Sequence, residues 1–115
     1  MRNIALVTGA SSGMGKEFVR EISKKYKGLD EIWVVARRRE RLRELKKEII
    51  GTRVRILPLD LMEEESFERL KMVLAKEQPV VRILVNASGY GISGSFEHQT
   101  EDCLLYTSPS PRDGL

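Results

Sequence analysis

The glycine-rich segment TGASSGMG, residues 8–15, constrains the fold of this chain more than any other feature. A short apolar run precedes it at residues 3–7, and a stretch with apolar residues at helical spacing follows it at residues 16–25. A strand, a glycine-rich turn and a helix in this order are typical of phosphate binding. Glycines let the backbone approach a ligand closely, and the amino terminus of a helix attracts negative charge. The alternative is a glycine-rich turn that binds nothing.

The spacing of the glycines narrows the class of ligand. The pattern is G-x-x-x-G-x-G, and it lacks the Lys-Ser or Lys-Thr pair with which a P-loop ends. We therefore do not expect hydrolysis of ATP or GTP, and a dinucleotide is the better candidate.

The rest of the chain repeats the alternation of strand and helix. Periodicity predicts strands over residues 3–7, 31–36, 54–59 and 80–85, and helices over residues 16–25, 40–50 and 63–76. Gly28 and Gly51 are predicted to end the first two helices, and Trp33 is expected in the core. Such alternation indicates an α/β fold with a parallel sheet and flanking helices.

A second ligand signal stands at the end of the second predicted strand. A carboxylate about 20 residues after the glycines holds the ribose 2′-hydroxyl of NAD in dinucleotide folds. Here Arg37 and Arg38 occupy that region, and a guanidinium can grip a 2′-phosphate with two hydrogen bonds. NADP is therefore favoured over NAD. The alternative is a solvated helix face, which we prefer for Arg39, Arg41 and Arg43 but not for Arg37.

A third signal is the segment LVNASG, residues 84–89, at the end of the fourth predicted strand. Ligands of open parallel sheets lie at the carboxyl ends of the strands, where small residues leave room for a cofactor. A loop with a capping Asn is the alternative.

Three such signals in this order resemble the short-chain dehydrogenase/reductase family. Residues 8–15 match its T-G-x-x-x-G-x-G turn, Asp60 and Leu61 match a pair that contacts adenine, and residues 86–89 resemble its Asn-Asn-Ala-Gly segment with Ala87 at the second place. The resemblance covers residues 1 to about 102 and implies a Rossmann-type fold. The predicted cofactor site comprises Gly9, Ser11, Ser12, Gly13, Met14, Gly15, Arg37, Arg38, Asp60, Leu61, Asn86, Ala87 and Gly89.

The resemblance implies an NADP-dependent oxidoreductase that moves hydride between NADP(H) and a carbonyl or secondary alcohol. It implies a small-molecule substrate and, for the full-length form, a homo-oligomer. NADP-preferring members of the family often carry a second basic residue in the glycine turn, where this chain has Ser12. A non-catalytic NADP-binding sensor or partner-binding module is the alternative function.

The family's catalytic Tyr-x-x-x-Lys is absent from these 115 residues. The residues four places after Tyr26, Tyr90 and Tyr106 are Asp30, Gly94 and Ser110. We therefore expect no catalytic residue in this chain, a sheet truncated after about four strands, and an inactive fragment.

Residues 103–115 differ from the rest of the chain. They show no apolar periodicity and contain Pro109 and Pro111, so neither a helix nor a central strand is expected. Codon by codon, residues 103–113 resemble a translated transposase-type sequencing adapter. We therefore divide the chain into a Rossmann part, residues 1–102, and a non-native tail, residues 103–115, which we expect to be disordered. A natural disordered tail is the alternative.

Composition excludes several other classes. The chain has no apolar run of the roughly 20 residues that a membrane span needs, no secretory signal and a single cysteine, so we expect a cytoplasmic protein. The net charge of +3 is mild, and the arginine cluster lacks interleaved aromatic residues, which argues against nucleic-acid binding. No metal site is expected.

Overall fold

The computed structural model describes residues 2–87, together with the backbone of residues 104–107. Within these residues the strands are β1 Asn3–Thr8, β2 Glu31–Ala36, β3 Arg53–Pro58, β4 Val80–Asn86 and β5 Leu104–Thr107. The helices are α1 Gly13–Lys25, α2 Arg39–Glu48 and α3 Glu64–Glu77. All strands are parallel, in the spatial order β3-β2-β1-β4-β5. The predicted α/β, Rossmann-type sheet is confirmed.

Strand β5 was not predicted. It pairs in parallel with the carboxyl half of β4, from Ile83↔Leu104 to Asn86↔Thr107, and forms one edge of the sheet. An edge strand of four residues needs hydrogen bonds on one side only, so it can form without the apolar alternation that marks a half-buried strand. The division of the chain at residue 102 stays a prediction.

The helices cover both faces of the sheet. On one face Val19 and Ile22 of α1 pack with Leu42 and Leu45 of α2 in one apolar cluster. On the other face Leu70 and Leu74 of α3 pack against a second cluster that contains Trp33. Trp33 is fully buried, as predicted. No helix in residues 2–87 is long and apolar enough to cross a membrane.

The two glycine caps were wrong, although α1 does end at residue 25 as predicted. Helix α1 ends at Lys25, where the N–H of Tyr26 donates to the carbonyl of Ile22 at 2.9 Å, so Gly28 is not its cap. Helix α2 ends at Glu48 because Ile49 turns to an extended conformation. Gly51 does adopt a positive φ of 94°, but in the turn that follows.

A cluster of ion pairs lies near the amino-terminal ends of the strands, away from the glycine turn. The buried carboxylate of Glu31 accepts from Trp33 Nε1 at 2.9 Å and from Arg2 at 3.2 Å. The Arg55 guanidinium lies 4.7 Å from the centre of the Trp33 ring and also pairs with Glu77, to which Arg2 donates at 3.0 Å. These contacts tie α3 to strands β2 and β3.

Glu77 should make the stability of the fold depend on pH. The hydrogen bond from Arg55 lowers the pKa of Glu77, against the opposing effect of partial burial. A lowered folded pKa stabilises the fold above the unfolded value, about 4.3, and this contribution is lost as the pH falls through the folded pKa. We expect Glu77→Gln to reduce the free energy of unfolding by about 1–3 kcal/mol at neutral pH.

Chemical denaturation at a series of pH values measures this effect. The difference between wild type and Glu77→Gln should shrink as the carboxylate becomes protonated. Glu68→Gln is the control, because Glu68 is exposed and only loosely paired with Lys71 at 3.6 Å. If the difference in free energy of unfolding stayed constant down to low pH, the charge of Glu77 would not contribute to stability.

Candidate cofactor-binding site

The site lies where the strand order of the sheet reverses. The chain passes from β1 outward to β2 and β3, then returns to place β4 on the other side of β1. At this point Thr8 Oγ1 donates to Asn86 Oδ1 at 2.9 Å, and the N–H of Ala87 donates to the Thr8 carbonyl at 2.9 Å. In open parallel sheets a crevice forms at such a reversal, at the carboxyl ends of the strands.

Two glycines are required by the packing of the turn after β1. Gly9 has a φ of 70°, a conformation that other residues rarely adopt. A Cβ on Gly15 would lie 2.1 Å from the carbonyl oxygen of Gly9, so α1 can start this close to the turn only with glycine there. The N–H of Ala10 donates to the Val35 carbonyl at 3.1 Å, which attaches the turn to the end of β2.

Ser12 caps α1 and leaves hydrogen-bond donors available. Its hydroxyl accepts from the N–H of Gly15 at 3.0 Å and donates to the carbonyl of Gly9 at 2.8 Å. Within residues 2–87 the N–H groups of Gly13 and Met14 have no hydrogen-bond partner. Unpaired N–H groups in the first turn of a helix are suited to an anion.

A cleft of about 390 Å³ joins the glycine turn to the ends of β2, β3 and β4. Eight residues of the predicted cofactor site line it: Gly9, Ser11, Ser12, Arg37, Arg38, Asp60, Leu61 and Ala87. Within residues 2–87, four further residues also line it: Val35, Ala36, Leu59 and Arg41. The structure therefore brings together, at one edge of the sheet, segments that are far apart in the sequence.

The other predicted site residues lie elsewhere. Gly15 and Asn86 are buried and are not part of the cleft lining, and Gly13 begins α1. The Met14 side chain is half exposed and lies in a separate groove that also contains Phe18. Gly89 lies outside the described residues.

Arg41 is the residue that sequence reasoning assigned differently. We expected it on a solvated helix face, and it is exposed, but its side chain also lines the cleft. Its position three residues after Arg38 was the signal available, because residues three apart share one face of a helix.

Charge is distributed unevenly around the cleft. No ion pair joins Arg37, Arg38 or Arg41 to a carboxylate within residues 2–87. Asp60 stands at the end of β3, where one carboxylate oxygen accepts the N–H of Met62 at 3.0 Å. The cleft thus offers three available cations and one oriented carboxylate, beside the anion-binding donors of the glycine turn.

These features fit one half of a dinucleotide. The turn offers N–H donors for a pyrophosphate, the arginines suit a further phosphate, and Leu61 with Ala36 provides apolar surface for a base. Within the described residues, no three His, Cys, Asp or Glu side chains are grouped closely enough to hold a metal ion.

Comparison with known proteins identifies the family. A sequence profile of the short chain dehydrogenases matches residues 3–105. The chain belongs to the short-chain dehydrogenase family. The family's members are oxidoreductases, as the names of the similar proteins below also indicate.

Among short-chain dehydrogenases, the chain is 44% identical over 68 residues to a 7beta-hydroxysteroid dehydrogenase of Clostridium sardiniense, covering 56% of this chain and 25% of that protein. It is 34% identical over 97 residues to the NADP-dependent 3-hydroxy acid dehydrogenase YdfG of Escherichia coli, covering 84% of this chain and 37% of that protein. The chain therefore spans between a quarter and two fifths of the length of these relatives.

A solved structure supports the same relationship. The crystal structure of L-sorbose reductase from Gluconobacter frateurii, complexed with NADPH and L-sorbose, superposes with a TM-score of 0.65 at 30% sequence identity. The match covers 76% of this chain and 34% of that one.

Proposed function

We propose that this chain is the cofactor-binding part of an NADP-dependent oxidoreductase that exchanges hydride between NADP(H) and a carbonyl or secondary alcohol. One observation carries the choice of cofactor. Arg37 and Arg38 line the cleft without a carboxylate partner within residues 2–87, at the place where NAD-binding folds usually have an Asp or Glu. Family membership supports the reaction type.

The glycine turn would hold the pyrophosphate. The N–H groups of Gly13 and Met14 are available as donors, and the positive end of the α1 dipole adds to their attraction for an anion. Ser12 fixes the start of the helix, and its own hydroxyl is already engaged with Gly9 and Gly15. The turn therefore needs no rearrangement to bind.

The far end of the cleft would hold the adenosine. Arg37 would bind the 2′-phosphate, because a guanidinium can donate two parallel hydrogen bonds to phosphate oxygens. Asp60 has one oxygen held by the N–H of Met62, so its other oxygen would accept from a donor on the base. Leu61 offers apolar contact, and the small side chain of Ala87 leaves space beside β4.

Bound NADPH would supply the hydride that reduces a carbonyl. The residues that hold and transfer the proton are not among these 115, since no Tyr-x-x-x-Lys is present. We propose that a full-length enzyme provides them beyond residue 102, that it acts on a small molecule in the cytoplasm, and that it is a homo-oligomer.

A catalytically inactive NADP-binding module would use the same cleft. The unpaired arginines and the N–H donors of the glycine turn would serve it equally well. The two candidates agree on cofactor binding and differ only in whether hydride is transferred.

Activity measurements separate the candidates. The 115-residue chain should oxidise no NADPH with any carbonyl in a panel of ketones and aldehydes, whereas the protein encoded by the complete gene should do so with at least one of them. Loss of NADPH absorbance, corrected for a blank without protein, is the readout. Turnover by the 115-residue chain would contradict the proposal. A complete gene product that binds NADP but lacks turnover and Tyr-x-x-x-Lys would favour the binding module.

A further inference from the structure

We propose that Arg41 is a specificity-determining residue, which binds the 2′-phosphate of NADP from the first turn of α2. The proposal rests on the proposed function. It adds a second cation, from the helix itself, to the arginine that follows β2.

The orientation of α2 places Arg41 at the cleft. Leu42 and Leu45 are buried under the helix, and this contact sets its rotation about its own axis. Arg38 occupies the N-cap position of α2 without making a capping hydrogen bond, Arg41 lies in the first turn, and both line the cleft. Among residues 2–87, Arg39 is not one of those that line the cleft.

Electrostatics within the chain does not favour this arrangement. A helix amino terminus carries partial positive charge, so cations there are destabilising and carboxylates are preferred. Helix α3 follows the rule, with Glu64 and Glu65 in its first turn. Helix α2 has one carboxylate in its first turn, Glu40, but it also has Arg38 at the N-cap position and Arg41 in the first turn, and like charges this close repel each other.

An ion pair elsewhere on α2 shows what Arg38 and Arg41 lack. At the other end of α2, Glu48 pairs with Arg20 of α1 at 2.9 Å, and this contact raises the pKa of Arg20 while it lowers that of Glu48. Within residues 2–87 neither Arg38 nor Arg41 has such a partner. An anion in the cleft would relieve the repulsion and satisfy both side chains.

A ribose 2′-phosphate has the charge and place to be that anion. It carries up to two negative charges, and the adenosine half of the dinucleotide would bring it to the end of β2. The N–H donors that suit the pyrophosphate are at the start of α1, so we assign Arg41 to the other phosphate. Ser12 is uncharged, so this position of the glycine turn supplies no second cation for the 2′-phosphate.

Arg41→Gln in the full-length enzyme tests the proposal, with Arg39→Gln as the matched control. Calorimetry would give the dissociation constants of NADP and NAD, and circular dichroism the Tm. We expect Arg41→Gln to weaken NADP about tenfold, which is the loss of one charge-assisted contact, and to change NAD less than about twofold. Its Tm should stay the same or rise, because a cation leaves the amino terminus of α2. Arg39→Gln should change neither dissociation constant.

The other outcomes overturn the proposal. Equal weakening of NADP and NAD binding by Arg41→Gln would show that Arg41 only maintains the shape of the cleft. Unchanged NADP binding would show that Arg41 does not contact the cofactor. If wild-type enzyme prefers NADP and Arg41→Gln keeps the same NADP/NAD ratio, the inference falls while the proposed function stands. If wild-type enzyme binds neither nucleotide, the proposed function falls and the inference with it.

Discussion

Gly15→Ala is expected to cost the fold about 3 kcal/mol or more, which is a large part of the stability of a small domain. The added Cβ would lie 2.1 Å from the Gly9 carbonyl oxygen and 2.9 Å from the Ala10 Cα, and both contacts are with backbone that cannot rotate away. Relief requires that α1 move away from the turn, which would also break the cap by Ser12. Thermal unfolding followed by circular dichroism measures the loss.

Gly13→Ala is the matched control, two residues earlier in the same turn. An ideal Cβ there meets nothing within 4 Å, and the backbone has no positive φ. Alanine should therefore keep the stability or raise it by about 0.5–1 kcal/mol, because it restricts the unfolded chain. NADP binding should still weaken by roughly tenfold, since the methyl group obstructs close approach of the pyrophosphate to the turn.

The two variants test different things: Gly15→Ala tests the packing of the turn, and Gly13→Ala tests how closely the pyrophosphate approaches it. Equal unfolding temperatures for Gly15→Ala and wild type would show that the turn is looser than the structure indicates. Unchanged NADP affinity in Gly13→Ala would show that the pyrophosphate does not approach this residue.

Arg37→Asp should move cofactor preference from NADP toward NAD in the full-length enzyme. A charge-assisted hydrogen bond to phosphate contributes roughly 1.5–3 kcal/mol, so its loss should weaken NADP by about one to two orders of magnitude. The new carboxylate would repel the 2′-phosphate and could accept from the free ribose hydroxyl of NAD. The dissociation constants of both cofactors measure the shift.

Arg39→Ala is the control for Arg37→Asp, because Arg39 lies outside the cleft lining of residues 2–87. It should leave both dissociation constants nearly unchanged. A NADP/NAD ratio that stays within a factor of about three in Arg37→Asp would make Arg37 a surface charge and direct attention to Arg38.

The elements that bury apolar side chains could be predicted from the sequence, because a buried face places apolar residues at a regular spacing along the chain. Strand β2 and the apolar face of α3 lie where their patterns placed them. The start of α1 could not be placed this way. Glycines disfavour a helix, so it was predicted from residue 16, yet the cap by Ser12 lets it begin at Gly13.

The site could be predicted as a set of strand ends but not residue by residue. Position after a parallel strand is enough to bring Arg37, Asp60 and Ala87 to one cleft. Which side chains of a helix reach that cleft depends on how the helix is rotated. That rotation assigned Arg41 to the cleft and the Met14 side chain to another groove, and the spacing of Arg41 from Arg38 was the only sequence signal we identified for it.

Binding of fragments of the cofactor tests most directly the claim that this cleft holds the 2′-phosphorylated adenosine of NADP. The measurement is calorimetry of the full-length enzyme with 2′,5′-ADP and with 5′-AMP, which differ only in the 2′-phosphate. We expect 2′,5′-ADP to bind about ten times more tightly or better, and NADPH to displace it. Equal affinities, or tighter binding of 5′-AMP, would contradict the assignment of the arginines to the 2′-phosphate.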